Sequence, residues 1–235
     1  MISDSVGIII IRVVYVLKSK EEFIKFMVEC GVLSFGRFTL RSGRESPYFL
    51  NTGNYKKCVQ LIKLGEFYSD CIIENSLEFD TLMGPSYKGV PLAISTGISL
   101  YTKHGIAVDY CFDRKTKKKH GEGGYFVGNQ LSNDERIVII EDVITSGLSL
   151  REEIIPKLKM DSDVSIIALI ISVDRMEKSI NSELTARQQI EIDYGIKTYT
   201  LVNIFDIINA IENSIIEGKE YLPDMYKYIE KYGAK

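Results

Sequence analysis

Residues 137–149 read IVIIEDVITSGLS, and no other stretch constrains the fold as tightly. Four aliphatic residues, Ile137 to Ile140, run directly into two adjacent acids, Glu141 and Asp142. A short unbroken apolar run is the pattern of a strand covered on both faces, as in a parallel sheet. The acids then fall at the strand's C-terminal end, the edge where open α/β sheets bind ligands. Val143 and Ile144 lead into the turn Thr145-Ser146-Gly147, followed by Leu148 and Ser149, with a helix expected from about Leu148. Small residues let backbone N–H groups converge, hydroxyls add donors, and a helix start presents its positive dipole end. Such a turn suits an anion. Acids beside it suit a ligand that also carries hydroxyls or a magnesium ion. An ordinary strand–turn–helix junction fits the hydrophobic pattern too, but it leaves the acid pair, costly at a strand end, without a use.

The chain has 235 residues, enough for one generous domain or one domain with an extension. A net charge of −3 does not favour nucleic acid as a partner. Cys30, Cys58, Cys71 and Cys111 are scattered, form no C-x-x-C pair and stand beside only two histidines. That usage fits a reducing, cytoplasmic setting and gives no zinc site. Val6 to Leu17 is apolar but is interrupted by Arg12. It is too short to span a bilayer and has neither the basic start nor the small-residue cleavage site of a signal peptide. Residues 1–18 are therefore expected to be an extension, an edge strand or a docked segment, and no membrane partner is implied.

Hydrophobic spacing then predicts the rest. Phe23, Ile24, Phe26, Met27 and Val28 mark an amphipathic helix ending near Gly31. Two short strands, about 37–40 and 48–51, follow around the turn Ser42–Ser46. Helices are expected over 57–75, 88–101, 148–159 and near 183–192, 203–213 and 219–232. Strands are expected over 79–83, 106–112, 137–141, 164–173 and 197–202. Residues 113–135 carry no periodic apolar face and read as one long loop. The alternation predicts an α/β fold with a doubly wound, mostly parallel central sheet, in a single domain over 19–235.

Three more segments carry chemistry. The stretch DRKTKKKHGEGGYFVG packs Arg114, Lys115, Lys117, Lys118, Lys119 and His120 together ahead of Gly121, Gly123 and Gly124. By itself such a run is equally a solvated surface or a nucleic-acid tail. Long loops inside domains are nevertheless often functional, and a basic lid can close over a polyanion and exclude water. Gly84-Pro85-Ser86-Tyr87-Lys88-Gly89-Val90-Pro91 stands at another strand-to-helix junction, with Lys88 as its cation; a tight turn with an incidental lysine reads the same. In FTLRSGRESPYFLNTG, Arg41 and Arg44 bracket a turn and Tyr48-Phe49-Leu50 offers apolar walls, although a hairpin with charged tips has the same pattern.

In order and spacing these four segments resemble the orotate phosphoribosyltransferase family, within the type I phosphoribosyltransferases. The acid-pair turn resembles that group's signature for PRPP (5-phosphoribose 1-diphosphate). GPSYKGVP resembles its pyrophosphate loop, RKTKKKHGEGG its catalytic loop and FTLRSGRESPYF its N-terminal substrate segment. The resemblance covers the chain from about residue 20. It implies the type I phosphoribosyltransferase fold, with a small N-terminal hood over about 19–55 and a flexible catalytic loop.

Carried over by position, the resemblance implies that Glu141 and Asp142 bind the ribose hydroxyls, that Thr145, Ser146, Gly147, Leu148 and Ser149 form the 5-phosphate turn, and that Val143 and Ile144 also bind PRPP. It implies PRPP contacts for Arg41, Tyr87, Lys88, Arg114, Lys115, Lys118 and His120, with Lys115 reaching a neighbouring subunit's site. Lys118, His120 and Asp142 would be the catalytic residues. Phe49, Leu50, Thr145 and Arg175 would bind orotate, Arg175 through the carboxylate that its fork suits. The implied reaction joins orotate to PRPP, releasing pyrophosphate and forming orotidine 5′-monophosphate in pyrimidine (UMP) synthesis. Magnesium would be carried mainly by PRPP, with no dedicated protein ligands, and each lid cation would contribute about 2–4 kcal/mol to the transition state. A homodimer sharing its catalytic loops is implied, and a decarboxylase for the next step would be a separate protein. Two departures stand out: Arg41 replaces the usual lysine, and Phe49-Leu50 replaces paired phenylalanines. A purine phosphoribosyltransferase would share the PRPP turn without needing Arg175. A PRPP-sensing nucleic-acid regulator would need a basic face, and an inactive relative would lose the acids or cations.

Overall fold

A computed structural model describes residues 19–118, 124–144, 147–161, 163–179 and 182–234, with the side chains of Lys117, Lys118 and Asp161 left out. The extension over 1–18 lies outside the described residues, as do His120, Thr145 and Ser146 among the expected site residues. Contacts divide the chain into two units, 1–55 with 202–232 and 56–201 with 233–235.

The smaller unit holds the region expected to form the hood, together with the segment 202–232. Helix α1 covers residues 19–29 and buries Phe23, Ile24 and Met27, one face at helical spacing. Strand β1 (Leu33–Thr39) pairs antiparallel with β2 (Glu45–Leu50), so the expected hairpin is present. Helices α6 (Ile204–Glu212) and α7 (Leu222–Tyr232) complete the unit. Asn203 accepts the N–H groups of Phe205 and Asp206, while Asp206 accepts that of Asn203, a capping box that sets where α6 begins. Lys20 pairs with Asp206 at 3.0 Å, and Tyr48 meets Tyr228 edge-on.

The larger unit contains a six-stranded sheet. Its members in chain order are β3 (Thr81–Met83), β4 (Asp109–Lys118), β5 (Gly124–Gly128), β6 (Arg136–Val143), β7 (Ser165–Asp174) and β8 (Lys197–Asn203), and their spatial order is β5-β4-β3-β6-β7-β8. β4, β3, β6 and β7 run parallel, as expected from the alternation of strands and helices, and β5 is antiparallel to β4. Helices α2 (Cys58–Glu74), α3 (Gly89–His104), α4 (Ile155–Asp161) and α5 (Ala186–Tyr194) accompany the sheet. Met83, Ile137, Ile139, Leu169 and Ile171 pack with Leu150, Ile154, Leu158 and Ile190 into one core. Each such aliphatic burial is worth about 1.5–3 kcal/mol.

The expected loop over 113–135 is corrected. Its first part extends β4 to Lys118 and its second forms β5, with Phe126 paired against Asp113 and buried. The charges lie on the part of β4 beyond Cys111, which pairs only with the edge strand β5 and so shows no buried apolar run to hydrophobic spacing. The segment after Gly147 is also less regular than a plain helix. A π-helical turn, Leu150–Ile154, precedes α4. Pro156 has no N–H to give, so a regular i→i−4 ladder cannot run through it.

The chain winds from β3 through α3 to β4 on one side and places β6 on the other side of β3. The C-terminal ends of β3 and β6 therefore flank a reversal of strand order, where open sheets leave a crevice. At the opposite edge Asp80 accepts three hydrogen bonds from Arg136, which hold its carboxyl down at about 2 and tie the starts of the two strands.

Candidate active site

β6 ends with its acids held from both sides. The Tyr68 hydroxyl donates to the Glu141 carbonyl at 2.7 Å and the Ser172 hydroxyl to the Asp142 carbonyl at 2.6 Å. These bonds satisfy backbone oxygens close to the strand's end. The Asp142 N–H donates to the Glu141 carboxylate, and the Val143 N–H to that of Asp142. Burial, and then the negative charge of Asp142, push the Glu141 carboxyl up to about 8, against the opposing pull of the Asp142 N–H and of Lys88. Burial beside Asp142 thus favours the protonated form of Glu141 in the ligand-free protein, the form that can donate to a hydroxyl oxygen.

Lys88 comes from the other side of the crevice. Its Nζ lies 3.0 Å from Asp142 Oδ2, with the lysine side chain 64% exposed and the aspartate 14%. The loop that carries it is pressed onto β6. A Cβ on Gly84 would sit 2.3 Å from the Gly89 carbonyl oxygen, and one on Gly89 would sit 2.8 Å from that of Ile140. Only glycine fits at these two positions. The Ser86–Tyr87 peptide is cis, and Tyr87 is exposed.

The basic hairpin starts beside the same loop. Asp113, buried on β4, accepts the Ser86 N–H at 2.8 Å and Lys157 Nζ at 3.1 Å, and its carbonyl accepts Ser86 Oγ at 2.6 Å. Arg114 is half-buried, and Lys115 Nζ stands 5.2 Å from the centre of the Tyr87 ring. The structure thus brings Arg114 and Lys115 to the loop of Tyr87 and Lys88. The side chain of Lys118, and His120 entirely, lie outside its description.

Beyond the acids, Val143 and Ile144 are half-buried. Gly147 is buried with φ +68°, and Leu148 and Ser149 are exposed at the helix start, which falls where the sequence predicts it. Arg175 follows β7. Its guanidinium is only 10% exposed and is bound to Glu177 Oε1 at 2.6 Å. The next strand residue back, Asp174, is buried; burial raises its carboxyl, and it pairs with Arg187 at 3.1 Å. In the smaller unit, Arg41 is exposed in the hairpin turn, Phe49 stacks on Phe38 with centroids 5.4 Å apart, and Leu50 is half-buried.

Sequence reasoning missed Asp113, Lys157, Tyr68, Ser172 and Glu177. For Asp113 a signal existed, a lone acid heading a run of cations. For Tyr68 and Ser172 there was none, since their partners are backbone carbonyls distant in sequence. Among the described residues no cluster of three or more His, Cys, Asp or Glu could hold a metal ion, and no helix is long and apolar enough to cross a membrane.

The family profile described as "Phosphoribosyl transferase domain" matches residues 51–201. An orotate phosphoribosyltransferase of Clostridium beijerinckii is 44% identical over 222 residues, covering 92% of this chain and 98% of that one. One from Bifidobacterium adolescentis is 41% identical over 226 residues, covering 90% and 96%. The crystal structure of the Francisella tularensis orotate phosphoribosyltransferase superposes with a TM-score of 0.81 at 34% identity, covering 90% of this chain and 99% of that one. The chain belongs to the orotate phosphoribosyltransferase family.

Proposed function

We propose that this enzyme transfers the 5-phosphoribosyl group of PRPP to N1 of orotate, yielding orotidine 5′-monophosphate and pyrophosphate, a step of pyrimidine nucleotide synthesis. The observation that carries the reading is the meeting of Lys88 and Asp142, 3.0 Å apart across the reversal of strand order. It supports a crevice in which a cation would meet the diphosphate and a carboxylate the sugar hydroxyls.

In the reaction the bond from C1 to the pyrophosphate oxygen breaks with its electron pair leaving on pyrophosphate. The bond from N1 of orotate to C1 forms on the opposite face, and N1 loses its proton. The protein's work is positioning and charge stabilisation. Asp142 and Glu141 grip the ribose hydroxyls. The turn 145–149 receives the 5-phosphate. Tyr87, Lys88, Arg114, Lys118 and His120 serve the diphosphate. Arg175, already shaped around the Glu177 carboxylate, receives the carboxylate of orotate. Magnesium, a hard cation with oxygen ligands, suits a site of this kind when carried in by the diphosphate, whose charge it would offset.

The enzyme is proposed to act in the cytoplasm as a homodimer in which Lys115 serves the neighbouring site. Support comes from α2 and α3, which leave Val59, Ile62, Ile98 and Tyr101 exposed, apolar surface of the kind that subunit interfaces cover. Purified protein incubated with PRPP should release pyrophosphate only when orotate is added. Release driven by adenine or guanine instead would replace this reading with a purine enzyme.

A further inference from the structure

The contacts of Asp113 exceed what strand geometry requires. Its side chain is 6% exposed and lies where three segments meet: the loop 84–90, the first arm of the basic hairpin, and α4. One carboxylate oxygen takes the Ser86 N–H and the other takes Lys157 Nζ, which also reaches the Arg114 carbonyl at 3.5 Å. The Asp113 carbonyl takes the Ser86 hydroxyl. One residue beyond Arg114, Lys115 covers the Tyr87 ring. A buried ion pair is a weak source of stability, because desolvation offsets its attraction; its best-attested use is to hold parts in register. Here the parts in register are the loop that carries Lys88 and the strand that carries Arg114 and Lys115.

We propose that Asp113, with Lys157 as its counter-ion, is a positioning residue that sets the Ser86–Lys88 loop and Arg114 against each other so that both grip the diphosphate together. The inference rests on reading residues 84–90 as the diphosphate loop. Neither Asp113 nor Lys157 needs to touch substrate. Losing the pair should loosen the diphosphate site while leaving the orotate site alone.

Steady-state kinetics on the full chain tests this with Asp113→Asn, which keeps shape and an acceptor for Ser86 but loses the charge. The KM for PRPP and the inhibition constant of pyrophosphate should rise together by about 5–10-fold, with the KM for orotate unchanged. Lys157→Met should give the same selective pattern, and it carries the test if Asp113→Asn does not fold. Variants that lower the thermal midpoint yet keep wild-type constants for PRPP and pyrophosphate would overturn the proposal, as would an equal rise for orotate. Wild-type protein without orotate-dependent pyrophosphate release would instead overturn the functional reading itself.

Discussion

Lys88 Nζ and Asp142 Oδ2 are 3.0 Å apart, so in the ligand-free protein the cation of the loop after β3 pairs with the acid at the end of β6. A sugar diphosphate would enter between them, exchanging one ion pair for two sets of contacts. Lys88→Met should therefore lower kcat/KM for PRPP by about 10²-fold, the cost of losing one aimed cation. Its stability should change by less than about 1 kcal/mol, because the lysine is solvent-exposed. Kinetics and a melting curve on the same preparation check both halves.

Arg175 is nearly buried and engaged at 2.6 Å by Glu177. A fork held this way is pre-set for a planar carboxylate, and a lysine cannot reproduce it. Arg175→Lys should raise the KM for orotate roughly 10–100-fold with little change for PRPP. An unchanged orotate KM would remove Arg175 from the site.

Lys115 covers Tyr87 of its own chain at 5.2 Å in the absence of ligand. The shared-loop reading requires it to act in the neighbouring subunit during turnover. Mixing a Lys115→Ala chain with an Asp142→Asn chain should then regenerate one intact site per hybrid dimer. Random exchange should restore about a quarter of wild-type activity. Confirmed exchange without recovery would confine Lys115 to its own site.

Glu141 offers a pH signature. Its carboxyl stands at about 8 in the folded chain against an ordinary 4.5. Between those values the folded state holds a proton that the unfolded state has lost, so stability falls as pH rises through that window and levels off above it. Glu141→Gln has no such proton. Its melting temperature should gain on wild type progressively from pH 5 to about 8 and then run parallel. A gap independent of pH would mean that Glu141 titrates normally.

Much of the site was legible in the chain itself, because its chemistry is local. Ile137–Ile140 had to be a buried strand, so Glu141 and Asp142 had to fall at its ligand-bearing end. Gly84 and Gly89 announced a tight turn around Lys88 for the same reason. The strand start near 109 was legible, but the extension of β4 to Lys118 and its partner β5 were not. The β4 arm is charged beyond Cys111, the β5 arm is only five residues long and flanked by glycines, and only pairing with β4 reveals Gly124–Gly128 as a strand.

Order along the chain and residue chemistry thus settled the fold class, the acid pair and the family resemblance, since each depends on neighbours a few positions away. Tertiary contact alone decided that Lys88 meets Asp142, that Glu177 occupies the Arg175 fork, and that Asp113 joins Ser86 to Lys157. Those partners stand 54, 2, 27 and 44 positions apart. Three of the four pairs are too distant for any local pattern to specify. The close one, Arg175 with Glu177, depends on side-chain orientation that burial imposes.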